Sequence, residues 1–142
     1  MITTTTAFAT TDSDIGEAFP VMRQLRPHLD GTAFVATVRA AEPLGLQLVL
    51  HRVDGRVVAV AGIRLLDQLK SARVLYVDDL VTDETTRSAG HGEALLQWLV
   101  EHARANGCVA FELDSGVHRH AAHRFYFRQR MRIAAYHFTL DL

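Results

Sequence analysis

Two periodicities divide the chain. From Ile15, apolar residues recur at helical spacing (Ile15, Phe19, Met22, Leu25 and Leu29), with Ser13 or Asp14 placed to cap the start. Pro20 interrupts that pattern and predicts a kink or a late start. Asp30 and Gly31 break it. A second short helix follows, with Phe34, Val35 and Val38 as its apolar face, ending near Pro43 and Gly45. From Leu46 the period drops to two. LQLVLHRV, then Asp54 and Gly55, then RVVAVAGIRLL predict a hairpin, because Asp-Gly favours the positive φ of a tight turn. VLYVDDLV, residues 74–81, is the next strand. A long helix then runs to about Arg104, with Leu95, Trp98, Leu99, His102 and Ala103 as its buried stripe. Asn106 and Gly107 stop it. CVAFELD, residues 108–114, reads as a strand. HAAHRFYFRQ reads as a helix with Ala122, Tyr126 and Gln129 on one line, and the alternating tail YHFTLDL as a final strand. The threonine-rich start, residues 2–9, is either a first strand or a frayed tail. The predicted order is β-α-α-β-β-β-α-β-α-β. That is an α/β mixed sheet covered by helices, in one domain over residues 1–142.

Composition narrows the classes. A chain of 142 residues with 49% apolar and 22% charged residues has the balance of one globular domain. A net charge of -1, with no strongly basic segment, argues against nucleic acid as a partner. One cysteine, Cys108, forbids an internal disulfide and suits a reducing compartment. No apolar run reaches the length of a membrane span or a signal peptide. A soluble cytoplasmic protein with no membrane partner is expected.

The segment TRSAGHGEALLQWL, residues 86–99, poses a chemical question. Glycine is a poor helix former, yet two glycines open this helix. A helix start leaves backbone N–H groups unpaired and carries partial positive charge. Glycines let an anion approach those groups directly, and Arg87 adds a cation at the same end. The turn is therefore suited to a phosphate or pyrophosphate. It is not a P-loop, since GxxxxGK[ST] is absent. As a dinucleotide fingerprint it lacks the third glycine, Leu95 standing near that place, and its loop is too long, although Asp114 ends the following strand where a ribose-binding acid would sit.

Arg87, Ser88, Ala89, Gly90, His91 and Gly92 match the [Q/R]xxGx[G/A] signature of the GNAT acetyltransferase superfamily. The context agrees: strand, signature, long amphipathic helix, strand, then a helix carrying AHRFYFRQRM, which resembles the superfamily's A-x-x-FY-x-x-x-GF/GM element. The resemblance covers about residues 46–138, and the N-terminal helices more loosely. DSGVHRHAAHRFYFR looks like small bacterial members, including the aminoalkylphosphonate acetyltransferases. The resemblance implies a mostly antiparallel sheet with a parallel, splayed central strand pair. It implies acetyl-coenzyme A as cosubstrate, held by Leu80, Val81 and Thr82 at a strand end and by Arg87, Ser88, Ala89, Gly90, His91, Gly92 and Glu93 around the turn. The expected activity is N-acetyl transfer to a primary amine of a small molecule by direct attack. A non-catalytic acyl-coenzyme A sensor is the alternative, and a protein that has kept only the fold is a third. Homodimers are common in the superfamily.

An alkylammonium with a pKa of about 10.4 is neutral in only about one molecule in two thousand at pH 7, so a base is useful. Asp78 and Asp79 are the candidates, and an ideal strand would send only one of them to the substrate. By resemblance Asp79 is the general base and Asp78 its alternative. Tyr126, in the FY pair, is by resemblance the general acid for the leaving thiolate, with Phe125 and Phe127 as core aromatics. His118, His120 and His123 form HxHxxH, but without a Cys or acid at ligand spacing they suit substrate lining better than a metal. No metal is expected. Two residues depart from the pattern. Ser88 replaces a commoner glycine, and Arg130 stands where glycine usually precedes the last Met or Phe. If position 130 keeps a positive φ, arginine costs about 1 kcal/mol there.

Overall fold

The computed structural model describes all residues, Met1–Leu142. The chain divides into two units, Met1–Glu112 and Leu113–Leu142.

In the first unit, β1 (Thr4–Phe8) precedes α1 (Asp12–Leu25) and α2 (Phe34–Ala41), which runs into a 3-10 turn. The threonine-rich start is thus a strand. The cap of α1 is Thr11 rather than Ser13 or Asp14: the Thr11 hydroxyl accepts from Asp14 N–H, and the Asp14 carboxylate reaches back to the Thr11 N–H. Pro20 lies inside α1 without ending it. The hairpin forms as its sequence predicts. β2 (Gln47–Val53) and β3 (Arg56–Gln68) are joined through Asp54 at φ 50° and Gly55 at φ 80°. β4 (Ala72–Thr82), α3 (His91–Ala105) and β5 (Ala110–Leu113) follow. The sheet order is β1-β2-β3-β4-β5. The first four strands pair antiparallel, and β4 with β5 is the parallel pair. β5 is shorter than its apolar run suggested.

Alternation sorts the core. Leu48, Leu50 and Val60 face Ile15, Ala18, Val21 and Met22 of α1 and Phe34 and Val38 of α2 in one cluster. The other face carries Val49, Ala59, Ala61 and Ile63, all fully buried. It lies under α3, whose buried residues are Leu95, Leu96, Leu99 and Ala103. Trp98 and His102, expected in that stripe, sit at its margin. They stack at 5.5 Å with Phe8 edge-on to both.

In the second unit, α4 (His120–Arg128) closes with Arg130 at φ 65° and the Met131 N–H bonded to the Tyr126 carbonyl. The left-handed position is therefore kept with arginine in it. Phe127 is 54% exposed and is not a core aromatic. The predicted final strand does not form. Residues 132–142 enter no helix or strand and make no backbone–backbone hydrogen bond. The reason is physical: alternation specifies a face, but a strand also needs an edge to pair with.

Arg130→Gly relieves a side chain held at positive φ. It should raise the free energy of unfolding by about 1 kcal/mol, read by urea denaturation.

Candidate active site

The site begins at an irregularity in β4. Ile63 pairs with Val77 and Gly62 with Asp79, so Asp78 is an extra residue on the β4 side. The bulge reverses the alternation beyond it. Val77 faces α3 with Ile63, and Asp79 emerges on the α1 face with Gly62. The two aspartates are thus treated differently. Asp78 is clamped by Arg64 through two hydrogen bonds, Nε to Oδ2 at 2.7 Å and Nη2 to Oδ1 at 2.6 Å. Asp79 receives one, from Arg26 Nε to Oδ1 at 2.8 Å, and Arg26 Nη2 also donates to the Asp78 carbonyl at 3.1 Å. Oδ2 of Asp79 has no partner. It stands 2.8 Å from where a Cβ on residue 62 would lie, so glycine makes room for this carboxylate.

β5 runs along only the start of the β4 edge away from β3. The Val109 N–H donates to the Arg73 carbonyl at 2.8 Å, which sets β5 beside the start of β4. β5 has 4 residues against the 11 of β4, so it ends before Leu80 is reached. The Asp83 N–H donates to the Val58 carbonyl. By alternation Val81 also points its N–H at β3, while Leu80 and Thr82 point theirs to the open side. Of the strand-end groups expected to meet a ligand, Leu80 and Thr82 therefore present amides there and Val81 does not.

After β4, Asp83 caps a 3-10 turn and the chain reaches the glycine turn. Ser88 takes φ 70° and Gly90 φ 86°. Nothing lies within 4 Å of a Cβ built on Gly90, so backbone conformation rather than crowding demands glycine there. Gly90 is the N-cap of α3 and provides no side-chain cap. The first N–H groups of α3, on His91, Gly92 and Glu93, thus have no intrahelical partner. Arg87 is exposed and makes no ion pair, and Ala89 bonds back to the Thr86 carbonyl at 3.4 Å. Open amides, a helix start and an unpaired guanidinium fit a pyrophosphate.

Beneath this turn lies a residue that sequence patterns did not single out. His51, 4% exposed, shares a 2.7 Å hydrogen bond with Thr6 Oγ1 and sits 5.6 Å, ring to ring, from His91. Burial first, and then the charge of His91, push its pKa below the ordinary value. Arg26, Arg64 and Gly62 were likewise not anticipated. Their partners are distant in sequence, and only the bulge brings them together.

The second unit has its own arrangement. Burial raises the phenol pKa of Tyr126, against an opposing pull from Arg119. Tyr126 is therefore protonated at neutral pH. His123 Nε2 donates to the Gly116 carbonyl at 2.8 Å, which fixes its tautomer, and His120 stands 6.2 Å from the His123 ring. His118 is exposed and fills the space beside Gly116. No group of three or more His, Cys, Asp or Glu stands together to hold a metal. Ser115 Oγ is buried without a partner. Cys108 is half-buried. Burial pushes its thiol pKa up, Arg73 pulls it back, and Asp67 adds to the rise. No helix is long and apolar enough to cross a membrane.

Sequence comparison assigns the family. Residues 14–130 match the Acetyltransferase (GNAT) family, and the chain belongs to it. It is an acetyl-coenzyme A-dependent acyltransferase. The N-acetyltransferase YhdJ of Bacillus subtilis is 29% identical over 82% of this chain and 83% of its own. A glucosamine 6-phosphate N-acetyltransferase of Trypanosoma brucei brucei is 32% identical over 73% of this chain and 75% of its own. The aminoalkylphosphonate N-acetyltransferase of Salmonella typhimurium is 31% identical over 63% of this chain and 58% of its own. Among solved structures, a Trypanosoma brucei acetyltransferase shares the fold with a TM-score of 0.80 at 24% identity, covering 99% of this chain and 100% of that one.

The buried, proton-averse His51 predicts a pH dependence. Its folded pKa is depressed, so the unfolded chain takes up the proton first. Its contribution is complete above about pH 6.5 and is lost as pH falls below that value. Unfolding free energy, measured by urea denaturation from neutral to mildly acidic pH, should fall. In His51→Asn the slope should be smaller.

Proposed function

We propose that this enzyme acetylates a primary amine of a small molecule by direct attack of the amine on the acetyl group. The observation that carries this reading is the end of β4, where the open amides of Leu80 and Thr82 follow immediately on a carboxylate with a free oxygen. Acetyl-coenzyme A supplies the acetyl group as an activated thioester. The Arg87–Gly92 turn and the first amides of α3, through Glu93, would hold its pyrophosphate. The Leu80 N–H would donate to the acetyl carbonyl oxygen, favouring the negative charge that grows there during attack. A C–N bond forms and the C–S bond breaks.

Asp79 is the general base in this scheme. Its Oδ2 is free to accept the ammonium proton, directly or through water, while Arg26 keeps Oδ1 oriented. Asp78, with both oxygens on Arg64, serves to position the bulge. Tyr126, protonated at neutral pH, is the acid for the departing sulfur. A phenol above its usual pKa of about 10 is a weak acid toward a thiolate of about 8.5, so a pre-formed hydrogen bond is needed for the transfer. His118, His120 and His123 are the substrate-side candidates, His123 through the loop that it ties to Gly116. Names of relatives favour small amines: glucosamine 6-phosphate and aminoalkylphosphonates. The single thiol and the cosubstrate suit the cytoplasm.

Calorimetric titration with acetyl-coenzyme A tests the phosphate turn. Binding should be lost or greatly weakened in Gly90→Val, because valine cannot hold the left-handed cap. Tyr126→Phe should lower turnover about 100-fold with little change in cofactor affinity. Asp79→Asn should lower kcat more than Asp78→Asn does, read from steady-state turnover at saturating acetyl-coenzyme A. Tight cofactor binding with no turnover on any amine, and indifference to Tyr126→Phe, would mean a sensor instead.

A further inference from the structure

Beside the β4 bulge, two carboxylates meet two guanidiniums. Arg64 spends Nε and Nη2 on the two oxygens of Asp78, so that pair is matched in charge and in geometry. Arg26 is matched differently. It lays the same edge, Nε and Nη2, against β4, but reaches one oxygen of Asp79 and the uncharged Asp78 carbonyl. A guanidinium has five N–H donors, and these two bonds use two of them. Both hydrogens of Nη1 and one of Nη2 remain. Together they make the flat end of the guanidinium, a fork that fits two oxygens of a carboxylate or a phosphoryl group. The Arg26 side chain is 43% exposed, so a small molecule can reach that fork. Arg23, three residues earlier, adds a cation that pairs with no carboxylate; its guanidinium lies 6.0 Å from the centre of the Phe19 ring.

With Asp79 as the general base, a reading on which this inference rests, the charge balance shifts during the reaction. Before the amine arrives, Asp79 balances Arg26. An acceptor ammonium at Asp79 Oδ2 makes two cations share one carboxylate. Once Oδ2 takes the proton, Asp79 is neutral and Arg26 has lost its counter-charge. Asp78 cannot replace it, since both its oxygens are held by Arg64. Water compensates a partly exposed guanidinium only in part, so a neutral or dicationic acceptor meets an unfavourable site. An anion carried by the acceptor removes the imbalance. We propose that the acceptor is an amine bearing an oxyanion, a carboxylate or phosphoryl group a few bonds from the nitrogen, and that the free fork of Arg26 grips it.

kcat/KM for paired acceptors of similar size tests the proposal: 2-aminoethyl phosphate against 2-methoxyethylamine, and β-alanine against β-alanine amide, with 1,3-diaminopropane as the dication. At least one anionic acceptor is expected to exceed its neutral partner and the diamine by about tenfold or more, and the better of the two identifies the oxyanion. Arg26→Gln should slow every acceptor, because Asp79 loses its orienting bond, and should also cut the anionic preference about tenfold. That preference is a ratio within one preparation, so partial misfolding of the variant does not move it. Preference for the neutral amines or the diamine overturns the proposal and leaves amine acetylation standing. So does an anionic preference that survives Arg26→Gln. Calorimetry with 2-aminoethyl phosphate and β-alanine separates the site from the chemistry. Binding that Arg26→Gln weakens, without turnover, supports the oxyanion site and overturns the acetyl transfer. Neither binding nor turnover of either anionic acceptor overturns the proposal.

Discussion

A single extra residue in β4 governs how this fold presents its chemistry. In an unbroken strand, Val77 and Asp79 would share a face, and either an aliphatic residue would leave the core or a carboxylate would enter it. Inserting Asp78 opposite the Gly62–Ile63 step lets Val77 stay under α3 and Asp79 surface beside α1. The cost of a bulge is an unpaired residue and a bent strand. Here both arginines that steady the bend do so through hydrogen bonds to the bulge or its neighbour. Arg64 holds the Asp78 side chain, and Arg26 bridges the Asp78 carbonyl and the Asp79 carboxylate.

The same strand joins two kinds of electrostatic preparation. Toward its end it offers amides that no neighbouring strand claims, and a few residues later the chain offers the amides of a helix start. Both are fixed dipoles, set in place when the protein folds, and in the proposed reaction they would meet an anion or a developing oxyanion without rearrangement. Asp83 secures the junction between them. It is 5% exposed, and its carboxylate accepts from Gln24, Arg56 and the Thr85 N–H. The position of the glycine turn therefore rests on a buried, satisfied carboxylate at the end of β4.

Much of this architecture was legible in the sequence because it is local. The Asp54 and Gly55 turn, the stripe of α1, the Gly90 helix start and the Asn106 and Gly107 stop each depend on residues a few positions apart. The glycine pair marked the turn into α3 before any strand was paired. Arg130 shows how far local reasoning reaches, since its positive φ follows from the helix-end pattern even though the residue is the wrong one for it. What remained hidden is non-local. Arg26 and Asp79 are 53 positions apart, and Thr6 and His51 are 45. No periodicity reports a bulge. The tail misled for the converse reason: its alternation is real, but strand formation depends on an edge that the alternation does not describe.

Cys108 carries a practical consequence. Each acetyl transfer liberates one new thiol, on coenzyme A, so the reaction can be counted with a thiol-reactive dye. The protein's only sulfhydryl is half-buried and held protonated above its ordinary pKa, and the thiolate is the form such dyes attack. Both features slow the attack of such a dye on the protein relative to the coenzyme thiol that the reaction releases.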